Sequence, residues 1–363
     1  MFSKQEQSGY TQDIISVECN FEEFPFTCVG LKNLSSMKEY YYERWIKDLS
    51  TKKAIKQEWR MIAAPNDHLP GPFDLDVKRA LDKIVFNTGI ENVVQNKKIS
   101  FTIYEIAEIL QLPVGGSIYN HIRQSLKRLH TTRYESKNAF FLKSRRVYVD
   151  DSFYIIERLN LKEVSNDSSA RAHVTVYFGS YYLESLKAFY TKPLDFAFYL
   201  SLENPIPKRL YGILDKRSFT SKKIVYDLVE LAKVIPLSSH TPSKVKERLS
   251  PSLAELKDRG FISEYNFFQE GKTKKIEIIV SNTASPSKFT PEEEFFISEI
   301  METLGEHPTS RNYYEKICRT VDRNLIYRAI SEVKEEQTFG KIKKSKGALF
   351  VAKIQQYISE IGE

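Results

Sequence analysis

A chain of 363 residues, 41% hydrophobic and 13% aromatic, is long enough for two or three folded domains and too apolar to be a disordered tail. No apolar run approaches the roughly 20 residues a membrane helix needs, and the first twenty residues lack the apolar stretch of a secretory leader. A net charge of +7 leans only slightly toward an anionic partner, while three scattered cysteines (Cys19, Cys28 and Cys318) suit a reducing cytoplasm and match no metal-ligand spacing.

In chain order, residues 1–36 show no clear period and read as an N-terminal extension. "YYYERWIKDL" (Tyr40–Leu49) and "AIKQEWRMIA" (Ala54–Ala63) alternate in part and predict a hairpin. A Pro/Gly loop follows, then a helix with Asp74 as its cap and Val77, Leu81, Ile84 and Val85 as its apolar positions. "TIYEIAEIL" (Thr102–Leu110) is a second helix, stopped near Pro113, and Gly115 and Gly116 permit a turn. Ser117 is positioned to cap the next helix, whose apolar stripe is Ile118, Ile122, Leu126 and Leu129. "RYESKNAFFL" and "RRVYVDDSFYIIERLNL" then read as strands. Two helices joined by a short turn, followed by a basic hairpin, predict a winged helix-turn-helix.

The same order recurs. "VYDLVELAKVIPL" parallels "IYEIAEILQL", "SSHTP" turns the chain, and the next helix has Val245, Leu249, Leu253 and Leu256 as its stripe. "FISEYNFFQEGKTKKIEIIV" closes the copy as a hairpin, and Pro251 is expected to kink the preceding helix or restart it with Ser250 as cap. The fold class is therefore α+β: two tandem winged helix-turn-helix domains followed by a small helical C-terminal domain. The first domain spans 37–165 with its hairpin and the second 166–282. A linker covers 283–290, and 291–363 is helical, opened by a capping box at Thr290 and Glu293. Its last stripe is Phe350, Ile354, Tyr357, Ile358 and Ile361.

No nucleotide-binding G-x-x-x-x-G-K-[ST] loop is present, the six histidines are isolated, and no G-x-S-x-G occurs. Asp74 and Asp76 read as a cap and a solvent-facing acid, not metal ligands, and most of the 21 tyrosines as core or strand residues. The expectation is a non-enzymatic protein with no cofactor and no metal. Between Arg123 and Arg146 the only acid is Glu135, whereas a solvated face usually mixes signs. Asn and Gln can read base edges bidentately, as can Arg, and Lys and Arg hold phosphates. Candidate DNA contacts on the first reading helix are Ser117, Tyr119, Asn120, Arg123, Gln124, Lys127 and Arg128. Its hairpin adds Arg133, Lys137, Lys143, Arg145 and Arg146. The second copy offers Ser243, Lys244, Glu247 and Arg248 on the helix, with Lys272, Lys274 and Lys275 at the hairpin tip.

The stretches "HLPGPFDLDVKRALDKIVF", "FTIYEIAEILQL…YNHIRQSLKRLHTTRYE" and "YFGSYYLESLKAFYTKPLDFAFYLSLENPIPKRLYGILDKR" resemble the plasmid replication initiator protein A family, over roughly Tyr40 to Asn282. The resemblance implies tandem winged helices that bind repeated double-stranded sites at an origin, promote local melting and bring host replication proteins, such as a helicase or the chromosomal initiator. It implies a cytoplasmic protein without membrane contact, and leaves open whether the active form is a monomer or a homodimer. A winged-helix transcriptional repressor, a rolling-circle nicking enzyme and a scaffold that never touches DNA are the competing readings.

Overall fold

The computed structural model describes residues 13–47, 53–162, 173–281, 291–306, 310, 313–314, 317–318, 321, 323–338 and 345–361. The chain divides into two compact units, Met1–Ala284 and Ser285–Glu363. Among the described residues, no helix is long and apolar enough to cross a membrane.

In the first unit, β1 (Ile14–Glu18) runs into α1 (Cys19–Glu23), and β2 (Glu39–Lys47) and β3 (Ala54–Ile62) form the expected hairpin. Next come α2 (Pro72–Thr88), α3 (Ile90–Asn96), β4 (Lys98–Thr102), α4 (Ile103–Ile109) and α5 (Gly116–Thr131). Four strands follow: β5 (Arg133–Leu142), β6 (Val147–Phe153), β7 (Ile156–Lys162) and β8 (His173–Phe178). After α6 (Ser180–Lys187), β9 (Thr191–Asp195) and α7 (Phe196–Ser201) come α8 (Pro205–Ser218), β10 (Lys223–Asp227), α9 (Leu228–Val234) and α10 (Pro242–Asp258). The hairpin of β11 (Ile262–Glu270) and β12 (Thr273–Val280) closes the unit.

Two copies of one pattern emerge. Each has a long helix, a strand, a short helix, a second long helix and two more strands, closing an antiparallel sheet of order β4–β8–β7 or β10–β12–β11. The last residue of each leading strand caps the helix after it. Thr102 Oγ1 accepts from Glu105 N (3.2 Å), and Asp227 accepts from Val229 N (2.7 Å) and Glu230 N (3.0 Å). Such a cap is worth about 1 kcal/mol and ends the strand where the helix must begin.

Several expectations change. The strand after α5 does not close the first copy's sheet: β5 pairs with β3 (Met61↔Tyr134) and with β6, giving a separate sheet of order β2–β3–β5–β6. Its inner face stacks Trp59 on Phe24 (5.2 Å) and packs it against Tyr134 and Phe153. The hairpin matching β11–β12 is instead β7–β8, whose connecting residues lie outside those described. α10 runs unbroken through Pro251, and Ser250 is no cap, because its hydroxyl donates to the Lys246 carbonyl (2.7 Å). The carbonyl four residues before Pro251 loses its N–H partner, but the proline is exposed and water can replace the bond. Asp74 sits in the first turn of α2 and accepts from Gly71 N (2.6 Å). Asp76 is not a free surface acid: Tyr199 Oη donates to it (2.6 Å) and Lys208 pairs with it (2.9 Å).

The largest correction concerns residues 13–36, read as an extension. β1 pairs with β9 (Ile14↔Asp195 to Glu18↔Thr191), and Phe21, Phe24, Phe26 and Cys28 are buried. Backbone groups of this segment serve side chains from distant elements. Trp59 Nε1 donates to Pro25 O (2.6 Å), Tyr134 Oη to Phe26 O (3.1 Å), and Arg209 to Phe21 O (2.7 Å) and Phe24 O (2.9 Å). At its far end Gly30 bridges Leu237, where a Cβ would lie 2.5 Å from the leucine side chain.

At the centre lies a buried ionic cluster. Glu22, fully buried, takes Arg79 Nη2 of α2 on Oε1 at 2.5 Å, while its Oε2 makes no hydrogen bond and faces Arg209 Nη1 of α8 at 3.9 Å. Arg79 also faces Asp82 (3.5 Å), which pairs with Lys78. Burial pushes the Glu22 carboxyl up, but Arg79 and Arg209, with Lys192, outweigh it and hold the pKa at about 2. Burial draws Arg209 down to about 10 despite Glu22, so it stays charged at neutral pH. Gly212 of α8 leaves the room: a Cβ there would lie 2.1 Å from Glu22 Oε2.

In the second unit, α11 (Pro291–Leu304), α12 (Arg323–Thr338) and α13 (Lys346–Ile361) enclose Ile297, Ile300, Ile326, Val333, Phe350 and Ile354. Tyr357 is also buried; Thr290 and the side chains of Glu293, Ile358 and Ile361 lie outside the described residues. Lys353 joins α13 to α12 by pairing with Glu332 (2.8 Å) and Glu336 (3.1 Å).

Removing the charge of Glu22 leaves buried Arg209 with neutral backbone partners and Arg79 with Asp82, already shared with Lys78, so Glu22→Gln should cost about 3–5 kcal/mol in urea unfolding at pH 7. Because the folded pKa lies below the ordinary 4.5, the stabilisation from ionised Glu22 is complete above that value. It is lost as pH falls from about 4.5 toward 2, so the pH dependence of the midpoint in that window should flatten in the variant.

Candidate nucleic-acid interface

α5 buries Tyr119, Ile122, Ser125, Leu126, Arg128 and Leu129, and turns Ser117, Asn120, His121, Gln124 and Lys127 outward. Ile118 and Arg123 are half-buried. The expected polar face is therefore present, shifted by part of a turn, and two candidates leave it. Tyr119 points inward, its hydroxyl without a hydrogen-bond partner among the described residues. Arg128 is 8% exposed and grips Asp74 of α2 through Nε (3.0 Å) and Nη2 (3.1 Å), a two-point clamp that fixes how α5 lies on α2.

Ser117 does not cap α5. The cap position is Gly115, in an extended conformation that needs no glycine (φ 175°), and the left-handed residue of the turn is Gln111 (φ 54°). His121, missed in the sequence, lies flat on Phe73 at 4.0 Å and 6°, anchoring the outer face of α5 to α2. Its signal was weak, since one His beside an Asn gives no period.

The basic run after α5 is not gathered beside it. Arg133 pairs with Glu135 (2.9 Å), which also meets Arg60 (3.3 Å), and Arg60 meets Glu39 (2.8 Å). Lys137 faces Glu58 (3.7 Å), which meets Lys56 (3.4 Å), itself paired with Glu43 (2.8 Å). Acids absent from this stretch of chain are thus supplied by β2 and β3, giving a mixed-sign ladder, the ordinary character of a solvated sheet face. Lys143, Arg145 and Arg146 sit at the β5–β6 turn, where Arg145 pairs with Glu184 of α6 (3.0 Å) and Arg146 is left-handed (φ 56°).

In the second copy, Ser243, Lys244, Glu247 and Arg248 are all exposed on α10, with Lys244 and Glu247 paired at 3.1 Å. Lys246, not among the candidates, lies over Phe267 of β11 at 4.9 Å and ties the helix to its hairpin. Lys272 and Lys274 are exposed at the β11–β12 turn, where Gly271 is left-handed (φ 59°), whereas Lys275 pairs with Glu270. Among the described residues no group of three or more His, Cys, Asp or Glu is placed to hold a metal ion.

Arg128 and Lys127 are adjacent in sequence and differ in task. Arg128→Ala should lower stability by about 3–5 kcal/mol by stranding Asp74. Lys127→Ala should stay within about 0.5 kcal/mol of the parent, as an exposed change does. Thermal melting of both variants decides; equal melting would remove the clamp.

No curated protein matches the chain in sequence. In structure it is similar to domains 2 and 3 of RctB: one crystal structure, of selenomethionine derivatives, matches at 14% identity and a TM-score of 0.46, covering 72% of this chain and 98% of that one. A second structure of RctB domains 2–3 matches at 14% identity and a TM-score of 0.40, covering 71% of this chain and 96% of that one. The family model of replication initiator protein A matches residues 63–247, from the end of β3 into α10. That span is more than half of the 363 residues, and the chain belongs to the replication initiator protein A family.

Proposed function

We propose that this protein is a cytoplasmic replication initiator that binds specific double-stranded sites at an origin through two winged-helix modules and makes or breaks no covalent bond. α5 and α10 are the reading helices, and β11–β12 is the wing of the second module. The observation that carries this reading is the build of α5. One face is clamped to α2 by Arg128 and Asp74, and the other presents Asn120, Gln124 and Lys127 to solvent. A rigid helix with bidentate-capable amides beside a cation suits the major groove. Lys272 and Lys274 at the hairpin tip suit phosphate contact.

Two modules held in one compact unit would share the cost of deforming a site, on the order of 1–6 kcal/mol, and a helicase borrowed from the host would follow. The helical second unit is the candidate dock for that host protein. Of the sequence candidates, Asn120, Gln124, Lys127, Ser243, Arg248, Lys272 and Lys274 remain the strongest, while Tyr119 and Arg128 support the helix from inside.

Selection of bound duplexes from a random pool should return one motif with a steep salt dependence. Against the selected site, Asn120→Ala should cost about 1–3 kcal/mol at one base position, whereas Lys272→Ala should weaken all sequences equally and lower the salt slope by about 1. Recovery of no motif would end the reading, and a bound motif that never supports replication of a plasmid lacking its own initiator would make the protein a repressor.

A further inference from the structure

The two repeated sheets turn one face toward their helices and the other to solvent, and the two solvent faces differ in charge. In the first sheet, Ile99, Phe101, Val174, Val176 and Phe178 are buried. The opposite face is built of cross-strand rows. Lys98, Tyr177 and Arg158 form one, Ser100, Thr175 and Asn160 the next, and Thr102 and His173 continue it. The Arg158 guanidinium lies over the Tyr177 ring at 3.9 Å and Lys98 approaches the ring at 5.9 Å, so both cations are held in the row. Ser100 and Thr175 hydroxyls meet at 3.0 Å. None of these described positions is a carboxylate, and Glu105, at the Thr102 end, is engaged in the helix cap.

The second sheet supplies the comparison. Its corresponding rows are Lys223, Ile279 and Glu264; Val225, Glu277 and Asn266; Asp227, Lys275 and Phe268. Two rows carry a glutamate, Glu264 and Glu277, and the third carries Asp227, engaged like Glu105 in a helix cap; Lys223 is neutralised by Glu277 (2.6 Å), and Lys275 pairs with Glu270. This is the mixed-sign pattern of a face that meets only water. The same architecture in the same chain thus has one self-neutralised face and one cationic face rich in hydroxyl and amide groups.

We propose that the outer face of β4–β8–β7, centred on Lys98, Arg158, Ser100, Asn160 and Thr175, takes the sugar–phosphate backbone of a DNA segment other than the one read by α5. Lys and Arg with Ser, Thr and Asn are the side chains that bind phosphate and sugar without reading sequence. The face looks away from the helices that pack on the sheet. Duplex DNA is stiff, with a persistence length of about 150 base pairs, so an unbent duplex on α5 does not also wrap round to the opposite face of the sheet. The inference rests on the DNA-binding reading for the class of partner, and adds a surface to it.

The test titrates the full chain against a fluorescent duplex of arbitrary sequence at several salt concentrations. Asn120→Ala, Gln124→Ala and Lys127→Ala are combined to silence α5, and Lys98→Gln with Arg158→Gln are then added. The α5 triple variant should retain salt-dependent binding. Adding the Gln pair should weaken it at least tenfold and lower the salt slope by about 2, one released counterion for each phosphate contact. Lys223→Gln with Lys275→Gln, the matching positions of the second sheet, should change nothing. Circular dichroism melting establishes that each variant is folded, and Lys98→Met with Arg158→Met, which keep the apolar stems and remove both charges, repeats the test if the Gln pair is not.

Unchanged affinity and slope on adding the Gln pair would overturn the proposal. So would loss of binding to a poly-glutamate peptide with duplex binding intact, which would assign the face to an acidic protein segment. If the α5 substitutions leave affinity for the selected site unchanged while the Gln pair still weakens binding to the arbitrary duplex, the reading of α5 fails and this one stands.

Discussion

One carboxylate organises the first unit. Glu22, on a five-residue helix, sits between Arg79 of α2 and Arg209 of α8, the opening helices of the two repeated modules. Each charge is out of water and tolerable only because the others are there. The segment around it adds hydrogen-bond acceptors for Arg209 and apolar rings for the accessory sheet. Through α2 and its Asp74–Arg128 clamp, α5 is referred to the same point, and through α8 so is the second module. The spacing between α5 and α10 is therefore an interior property.

The repeated modules share what folding requires and differ where solvent begins. Both close a strand with a side chain that caps the next helix, and both bury a comparable stripe on the second long helix. Outside, α5 carries amides and α10 carries an ion pair with an arginine. Divergent surfaces on one scaffold are what a protein needs if two copies of a fold are to have different contacts on the same DNA.

Much of this was legible in the residues. Helices α5 and α10 and the hairpins β2–β3 and β11–β12 announce themselves by period and punctuation, because each has one wet and one dry face, whereas α2, buried along most of its length, is marked by the Pro/Gly loop before it. The segment from Ile14 to Cys28 does not, since it is dry on nearly every side and so has no period. The hairpin of the first module was misplaced for a different reason: β5 and β6 are an insertion that reads as strongly β as the true partner strands. The site was half legible. Periodicity found the wet face of α5, but Arg128 and Tyr119 lie at the margin of that face, where residue type cannot tell inward from outward. Lys137 misled because its acidic neighbour, Glu58, is close in space and 79 residues away in the chain, and Glu135, the one acid near Arg133, is shared with Arg60 of β3, 75 residues before it.

The N-terminal placement of the Glu22 segment has a consequence for how the protein is made. Its partner Arg209 follows Glu22 by 187 residues. On a ribosome adding roughly 5–20 residues per second, the segment emerges roughly 10–40 s before α8 exists to receive it. During that interval the nascent chain exposes β1, whose partner strand is unmade, beside the phenylalanines that later form the core. The first module can assemble its helices and strands early, but the bond between the modules waits for the second. Until α8 and β9 are made, the buried face of this segment has no partner from that part of the chain to cover it.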